Sequence, residues 1–348
     1  MNMADVSLYD KIRKENIIKY GTHVAVYGPR LLANLYSERT HFVYELLQNA
    51  EDACERAKQA GNKKKFTARL DLLRDRLRLT HNGIPFNEDD VVGICGIVEG
   101  TKADDRTQIG KFGIGFKSVY AYSKSPEIYS GDKSFCINNY VQPSYIEPDS
   151  RGQERDTVIV IPFNHDKVSE EVAFREIAGR LMNLGVTNFL FLKNIEEVEW
   201  STEENHSGVY LKASKALDIH NSRVELLSKI DQSEDFEEWL VFDRPVSETE
   251  ASKVEVAFKI ERTSDGRDYI APVKGAKLAS FFLTEKITWL NFIVQGPYET
   301  TPARDNVNFG DEWNKKLITE TATLVEEAIT RVKEMGLLDV GFQILLTN

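Results

Sequence analysis

Cysteine is scarce in this 348-residue chain. Cys54, Cys95 and Cys136 are odd in number, widely spaced and outside any zinc-ligand pattern. That excludes a disulfide framework and fits reduced, partly buried thiols of a cytoplasmic protein. No apolar run is long enough to cross a bilayer, and Met1-Asn2-Met3-Ala4-Asp5 lacks the basic-then-apolar order of an export signal. Low-complexity tracts and internal repeats are absent. Positive charge is in deficit, with 44 Lys and Arg against 55 Asp and Glu and a net charge of -11. This opposes broad binding to nucleic acid or anionic membrane and leaves room only for a local basic cleft.

What is present describes a globular chain, 41% hydrophobic and 28% charged, with the length of two domains. The polar stretch Ser201-Thr202-Glu203-Glu204-Asn205-His206-Ser207-Gly208 is the boundary, giving domains 1–203 and 204–348. Three glycines, Gly110, Gly113 and Gly115, punctuate Gly110-Lys111-Phe112-Gly113-Ile114-Gly115-Phe116-Lys117-Ser118 ahead of an apolar, helix-competent run. Such a turn lets backbone approach a ligand and offers unpaired N–H groups to an anion. It is equally the sequence of a tight connection.

Leu31 to Ala60 is rich in helix formers, with Ser37-Glu38-Arg39-Thr40 placed to break it and cap a second segment from His41. Phe42, Leu46, Ala50, Ala53 and Ala57 form an apolar stripe, while Glu45, Asn49, Asp52 and Arg56 share another face. A carboxylate one turn from a neutral amide suits a magnesium–nucleotide site: the amide oxygen ligates the cation and the carboxylate orients or deprotonates water. The same rhythm also describes a solvated helix face. Phe66 to Leu79 alternates as two strands around Arg74-Asp75 and ends at Thr80-His81-Asn82-Gly83, a strand end able to face a ligand or simply to turn. Glu99-Gly100-Thr101-Lys102 opens a polar loop whose lysine could close over phosphates.

Together these pieces resemble the GHKL (Bergerat-fold) ATPases. The motifs are Glu45-Leu46-Leu47-Gln48-Asn49-Ala50-Glu51-Asp52-Ala53, His81-Asn82-Gly83-Ile84-Pro85 and Gly110-Lys111-Phe112-Gly113-Ile114-Gly115-Phe116. Thr157, in Asp156-Thr157-Val158, matches the threonine supporting the base pocket. Within the superfamily, Glu38-Arg39-Thr40-His41-Phe42, His81-Asn82-Gly83-Ile84-Pro85-Phe86 and Phe112-Gly113-Ile114-Gly115-Phe116-Lys117-Ser118 are similar to the sacsin and NO VEIN branch. The resemblance implies an α+β architecture: a Bergerat α/β-sandwich ATPase domain followed by an α/β transducer domain of left-handed βαβ type. It also implies ATP and Mg²⁺ as cofactors, Glu45 as general base and Asn49 as metal ligand. Asp52, Asn82, Gly83, Thr101, Lys102 and the glycine loop from Gly110 to Lys117 are the expected nucleotide contacts. His81 replaces the aspartate that accepts a hydrogen bond from the adenine amino group. A neutral imidazole still accepts one bond through its bare nitrogen, and Asn82 carries both a donor and an acceptor.

In the second half, Asp166 to Leu184 reads as a helix and Asn188 to Trp200 as a strand. Strand-like runs follow at Val209–Leu211, Arg223–Leu227, Trp239–Phe242, Val254–Ile260, Ala279–Leu283 and Trp289–Val294, then a helix from Glu312 to Met335. Glu299-Thr300-Thr301-Pro302-Ala303-Arg304-Asp305-Asn306-Val307 resembles the catalytic-arm segment in the middle domain of the superfamily's large heat-shock chaperone, which implies Arg304 as the arginine that reaches the γ-phosphate. The resemblance implies slow ATP hydrolysis driving a conformational change, an ATP-dependent homodimer, and an effector that is either further C-terminal sequence or a separate partner. Sacsin likeness points to chaperone work and bacterial relatives to genome defence or DNA-associated roles. A nucleotide sensor or scaffold with little hydrolysis is the rival reading.

Overall fold

The computed structural model describes residues 3–21, 38–97, 115–148, 156–246, 252–301 and 306–338. They form two compact units. The first comprises Met1–Leu184, Lys193–Val209 and Ile230–Gln232; the second comprises Gly185–Leu192, Tyr210–Lys229 and Ser233–Asn348.

The first unit is built on alternation. Helices α1 (Met3–Tyr20), α2 (Phe42–Gln59), α3 (Glu88–Cys95) and α4 (Glu170–Met182) accompany strands β1 (Phe66–Leu72), β2 (Arg76–His81), β3 (Glu127–Ser130), β4 (Lys133–Asn138), β5 (Gln142–Tyr145), β6 (Thr157–Pro162) and β7 (Ile195–Thr202). The strands order as β7-β1-β2-β6-β3-β4-β5. All neighbours are antiparallel except β1 and β7, so the sheet is mixed. Phe66, Ala68, Leu70 and Leu72 of β1 and Leu77, Leu79 and His81 of β2 turn inward, where α2 and α4 pack on β1. This helix-on-sheet arrangement is the α/β sandwich of a Bergerat fold, and it gives α2 one buried face and one free for chemistry.

Helix α2 buries Phe42, Leu46, Ala50, Ala53 and Ala57 as its periodicity dictates. Its start differs from expectation. A 3₁₀ turn, Arg39–His41, runs directly into it without a side-chain cap, because Thr40 Oγ1 accepts from Arg180 Nε (3.1 Å) instead. Glu51, facing inward, fixes the other side of the helix. Its carboxylate accepts from the backbone N–H groups of Lys193 (2.8 Å), Asn194 (2.8 Å) and Ile195 (2.9 Å) and from Asn194 Nδ2 (2.9 Å). Four donors on one buried carboxylate satisfy it without a cationic partner. They also explain why the strand expected from Asn188 begins only at Ile195: the preceding N–H groups are already committed. Residues Val186–Phe189 form a 3₁₀ turn whose apolar side chains serve burial rather than a ladder.

The second unit orders its strands β14-β13-β15-β11-β10-β9-β8, with β12 also on β11. These are β8 (Ser207–Ala216), β9 (Asn221–Ile230), β10 (Ser233–Pro245), β11 (Lys253–Arg262), β12 (Asp268–Ala271), β13 (Lys277–Ser280), β14 (Phe282–Ile287) and β15 (Ile293–Gln295). Helix α5 (Glu312–Glu334) lays Leu317, Leu324, Ala328 and Val332 on β10 and β11, closing a core with Phe258, Phe292 and Val294. Thr321 interrupts this stripe and meets the Tyr298 hydroxyl at 2.8 Å, which satisfies both buried groups. The expected strand Ala279–Leu283 is instead a sharp hairpin, β13 to β14, turning at Phe281 with φ 74°. Trp289 (φ 61°) likewise lies in a turn, so β15 starts late.

Candidate functional site

Glu45, Asn49, Asp52 and Arg56 lie half-buried along one face of α2. Among the described residues the Asn49 amide makes no hydrogen bond, and it lies one turn from Glu45. His41 Nε2 lies 3.3 Å from Glu45 Oε1 at an (i, i+4) spacing. Sequence reasoning passed over this histidine, although four-residue spacing from a candidate base was the signal that could have found it.

Gly115, the last glycine of the anion motif, lies directly against that carboxylate. A β-carbon placed on Gly115 would fall 2.1 Å from Glu45 Oε2 and 2.9 Å from its Cδ. Gly115 has ordinary right-handed backbone angles (φ -58°, ψ -48°), so close approach to Glu45, not conformational freedom, requires glycine here. The segment that follows, Phe116–Ala121, is a short 3₁₀ helix rather than the expected α-helix, and it packs on α2. Thr101, Lys102, Gly110, Lys111, Phe112, Gly113, Ile114 and Arg304 lie outside the described residues.

The second motif meets the same helix. A β-carbon on Gly83 would fall 2.8 Å from the Ala53 carbonyl carbon and 2.9 Å from Cys54 N, while Ile84 N donates to Ala53 O at 3.0 Å. Glycine at this position lets the exit of β2 touch α2 just beyond Asn49. His81, pairing with Thr157 across β2 and β6, is 2% exposed. Burial, then the charges of Arg56 and Lys64, push its imidazole down to about 4, so it is neutral at physiological pH. Its Nδ1 accepts from Gly83 N at 3.3 Å. The bare nitrogen expected to receive a base amino group is therefore already taken.

Four further expected contacts have partners or burial of their own. Asn82 Oδ1 accepts from Thr67 N (2.9 Å) and its Nδ2 donates to Lys65 O (2.9 Å), so its amide closes the β1 end instead of facing a base. Lys117, 3% exposed, donates to Ile94 O (2.6 Å) and Tyr140 O (2.5 Å), and burial lowers its ammonium to about 8. It ties the 3₁₀ segment to the carbonyl end of α3, where the helix dipole favours a cation, rather than turning toward phosphates. Phe116 is buried in the core. Thr157 is fully buried and hydrogen-bonded to the Ser130 hydroxyl. A pocket of about 170 Å³ lies at this strand end, lined by Thr67, Thr80, His81, Asn82 and Asp156 together with Arg69, Glu197 and Glu199, with the Lys65–Glu197 and Arg69–Glu199 ion pairs beside it.

The Glu45 carboxylate and the Asn49 amide thus share one face of α2, with Gly115 against the carboxylate and the Gly83 strand exit against the same helix. Residues 30–157 match the family model described as Sacsin domain. Protein NO VEIN of Arabidopsis thaliana is 24% identical over 326 residues, covering 86% of this chain and 11% of that protein. Sacsin of Homo sapiens is 34% identical over 113 residues, 30% of this chain and 2% of sacsin. Chaperone protein HtpG of Alcanivorax borkumensis is 24% identical over 183 residues, 43% of this chain and 29% of HtpG. The chain is similar to the sacsin/NO VEIN-like branch of the GHKL ATPase superfamily, and its fold fits a Bergerat-fold domain followed by a transducer domain. It spans about a tenth of the NO VEIN protein and under a third of HtpG. Among the described residues no helix is long and apolar enough to cross a membrane.

Proposed function

We propose that the chain binds a magnesium–nucleoside triphosphate, ATP by family resemblance, and hydrolyses it slowly to drive a chaperone-like conformational change. The observation that carries this reading is the contact between Gly115 and the Glu45 carboxylate, one helical turn from Asn49. In this scheme Glu45 accepts the proton of the attacking water, with His41 Nε2 lying 3.3 Å from its carboxylate. The glycine loop and Lys102 face the phosphates, and Arg304 offsets charge developing on the γ-phosphoryl group.

Asn49 fits a Mg²⁺ ion because the donor is a neutral hard oxygen with no hydrogen-bond partner among the described residues. Among the described residues no three His, Cys, Asp or Glu side chains converge on a metal position. One protein oxygen completed by phosphates and water matches the way magnesium is held with nucleotides. Bound there, Mg²⁺ would neutralise phosphate charge. Nucleotide-gated homodimerisation, a cytoplasmic location and action through a further effector complete the proposal.

The test is phosphate release by the purified chain with Mg²⁺, beside Glu45→Ala and Arg304→Ala. The reading expects release by the wild type, a loss of about a hundredfold or more in Glu45→Ala, and retained nucleotide binding in both variants. If wild type and Glu45→Ala are equally inert while both bind nucleotide, the chain is a sensor and not a hydrolase.

A further inference from the structure

Helix α2 has a third face that the nucleotide reading does not use. Tyr44, Glu51, Glu55 and Lys58 recur at helical spacing and form one line along it. That line lies about 100° round the helix from Glu45, Asn49, Asp52 and Arg56. Every residue on it grips one or other end of a single segment. The Tyr44 hydroxyl donates to Leu184 O at 3.2 Å. Glu51 accepts from the backbone N–H groups of Lys193, Asn194 and Ile195 and from Asn194 Nδ2. Glu55 Oε2 accepts from the same Nδ2 at 2.7 Å, and Lys58 Nζ donates to Asn194 Oδ1 at 3.3 Å. Tyr44, Glu51 and Asn194 are buried. The chain leaves the first unit after Leu184 and returns to it at Lys193, and between these points Gly185–Leu192 belongs to the second unit. There Thr187 Oγ1 donates to Glu237 Oε2 (2.9 Å), Asn188 Oδ1 accepts from Leu283 N (3.2 Å), and Phe189 stacks on Tyr210 (4.4 Å between centroids). Lys212 Nζ donates to the carbonyls of Leu190 and Leu192.

We propose that this face of α2 couples the nucleotide site to the second unit through Gly185–Leu192, whose two ends it holds. The inference rests on the nucleotide reading and specifies how occupancy of that site is transmitted. Glu45, Asn49 and the gripping residues share one helix, so a ligand that shifts or orders one face moves the other. A buried carboxylate with four donors is costly to strip, so Lys193–Ile195 follow α2 rather than let it slide past. The contacts of Thr187, Asn188, Phe189 and Lys212 then hand that change to the second unit. A nucleotide biases the segment only by binding its two states with different affinity, and that difference reads out as protection of its amides.

The experiment is hydrogen–deuterium exchange of the full chain with and without a non-hydrolysable ATP analogue and Mg²⁺, followed at residues 185–192. Calorimetry on the same samples reports whether the analogue is bound. In the wild type, bound analogue should slow exchange across 185–192 by about fivefold or more. Glu51→Gln should still bind the analogue, with that slowing reduced to under about twofold. Tyr44→Phe keeps the ring and removes only the hydroxyl on Leu184, so it decides the matter if Glu51→Gln does not fold. It should cut the slowing by at least about half. Bound analogue with no change at 185–192 in the wild type overturns the proposal without needing any variant. In a variant whose melting temperature shows it folded, the full wild-type slowing also overturns it. In both cases the nucleotide reading stands. Failure of the analogue to bind the wild type removes the nucleotide reading and this inference together.

Discussion

Replacing Gly115 by alanine isolates the contact on which the site is built. The backbone there is right-handed helical, so alanine meets no conformational penalty and removes some unfolded-state freedom. The three nearest atoms to the added carbon all belong to the Glu45 side chain, the closest at 2.1 Å. Ordinary contact is about 3.5 Å, so the carboxylate must withdraw by more than 1 Å. A carboxylate at the end of a flexible side chain can do so by changing rotamer, at a cost of about 1 kcal/mol. Stability should therefore barely move, while the base leaves its place beside the glycine motif. Misplacing a catalytic group by about 1 Å costs on the order of a hundredfold, or about 2.7 kcal/mol of transition-state stabilisation. The assay pairs single-turnover phosphate release with thermal melting. Gly115→Ala should lose about a hundredfold in rate with a melting temperature within a few degrees of wild type. A rate within threefold of wild type, in a folded protein, would refute the placement of Glu45 as the base against this loop.

Gly83→Ala should behave in the opposite way, because its added carbon meets the backbone of Ala53 and Cys54 rather than a mobile side chain. Its stability should fall by about 3 kcal/mol in urea unfolding, and a loss below 0.5 kcal/mol would contradict the packing of β2 on α2 (both figures approximate). Glu51→Gln replaces a four-donor acceptor with an amide that must turn an NH₂ group toward backbone N–H. A loss of about 2–4 kcal/mol is expected in the same measurement, and near-neutrality would show that Glu51 does not hold the start of β7. Stability should also depend on His81 and pH. Its folded value near 4 lies below the ordinary 6.5, so between these the unfolded chain takes up a proton that the folded chain refuses. Stability is then full above pH 6.5 and falls as pH drops toward 4, by up to about 3 kcal/mol. His81→Asn should flatten that window relative to wild type, and identical pH profiles would show that the imidazole is not buried neutral.

Periodicity made much of the first unit legible. The α2 stripe and the alternation of β1 and β2 follow directly from the spacing of apolar residues, and the half-buried Glu45–Arg56 face follows from the same helix. Pairwise commitments that depend on distant chain were not legible. Nothing local to Asn188–Leu192 says that the next N–H groups belong to Glu51, so this apolar run read as the start of a strand. Lys117 in a phosphate-type motif looked like a cation for phosphates, yet carbonyls of Ile94 and Tyr140, more than twenty residues away on either side, hold it. Thr40 was a reasonable cap until Arg180 took its hydroxyl. His81 is the instructive case. The residue type was visible, but which ring nitrogen is free depends on the Gly83 N–H, and only the fold shows that.

The most direct measurement of the central claim is a crystal structure of the chain with a non-hydrolysable nucleoside triphosphate and Mg²⁺. The account predicts Asn49 oxygen on the metal, the Glu45 carboxylate one water from the γ-phosphorus, and Gly115 beside the triphosphate. A nucleotide bound elsewhere, with Glu45 and Asn49 untouched, would contradict it.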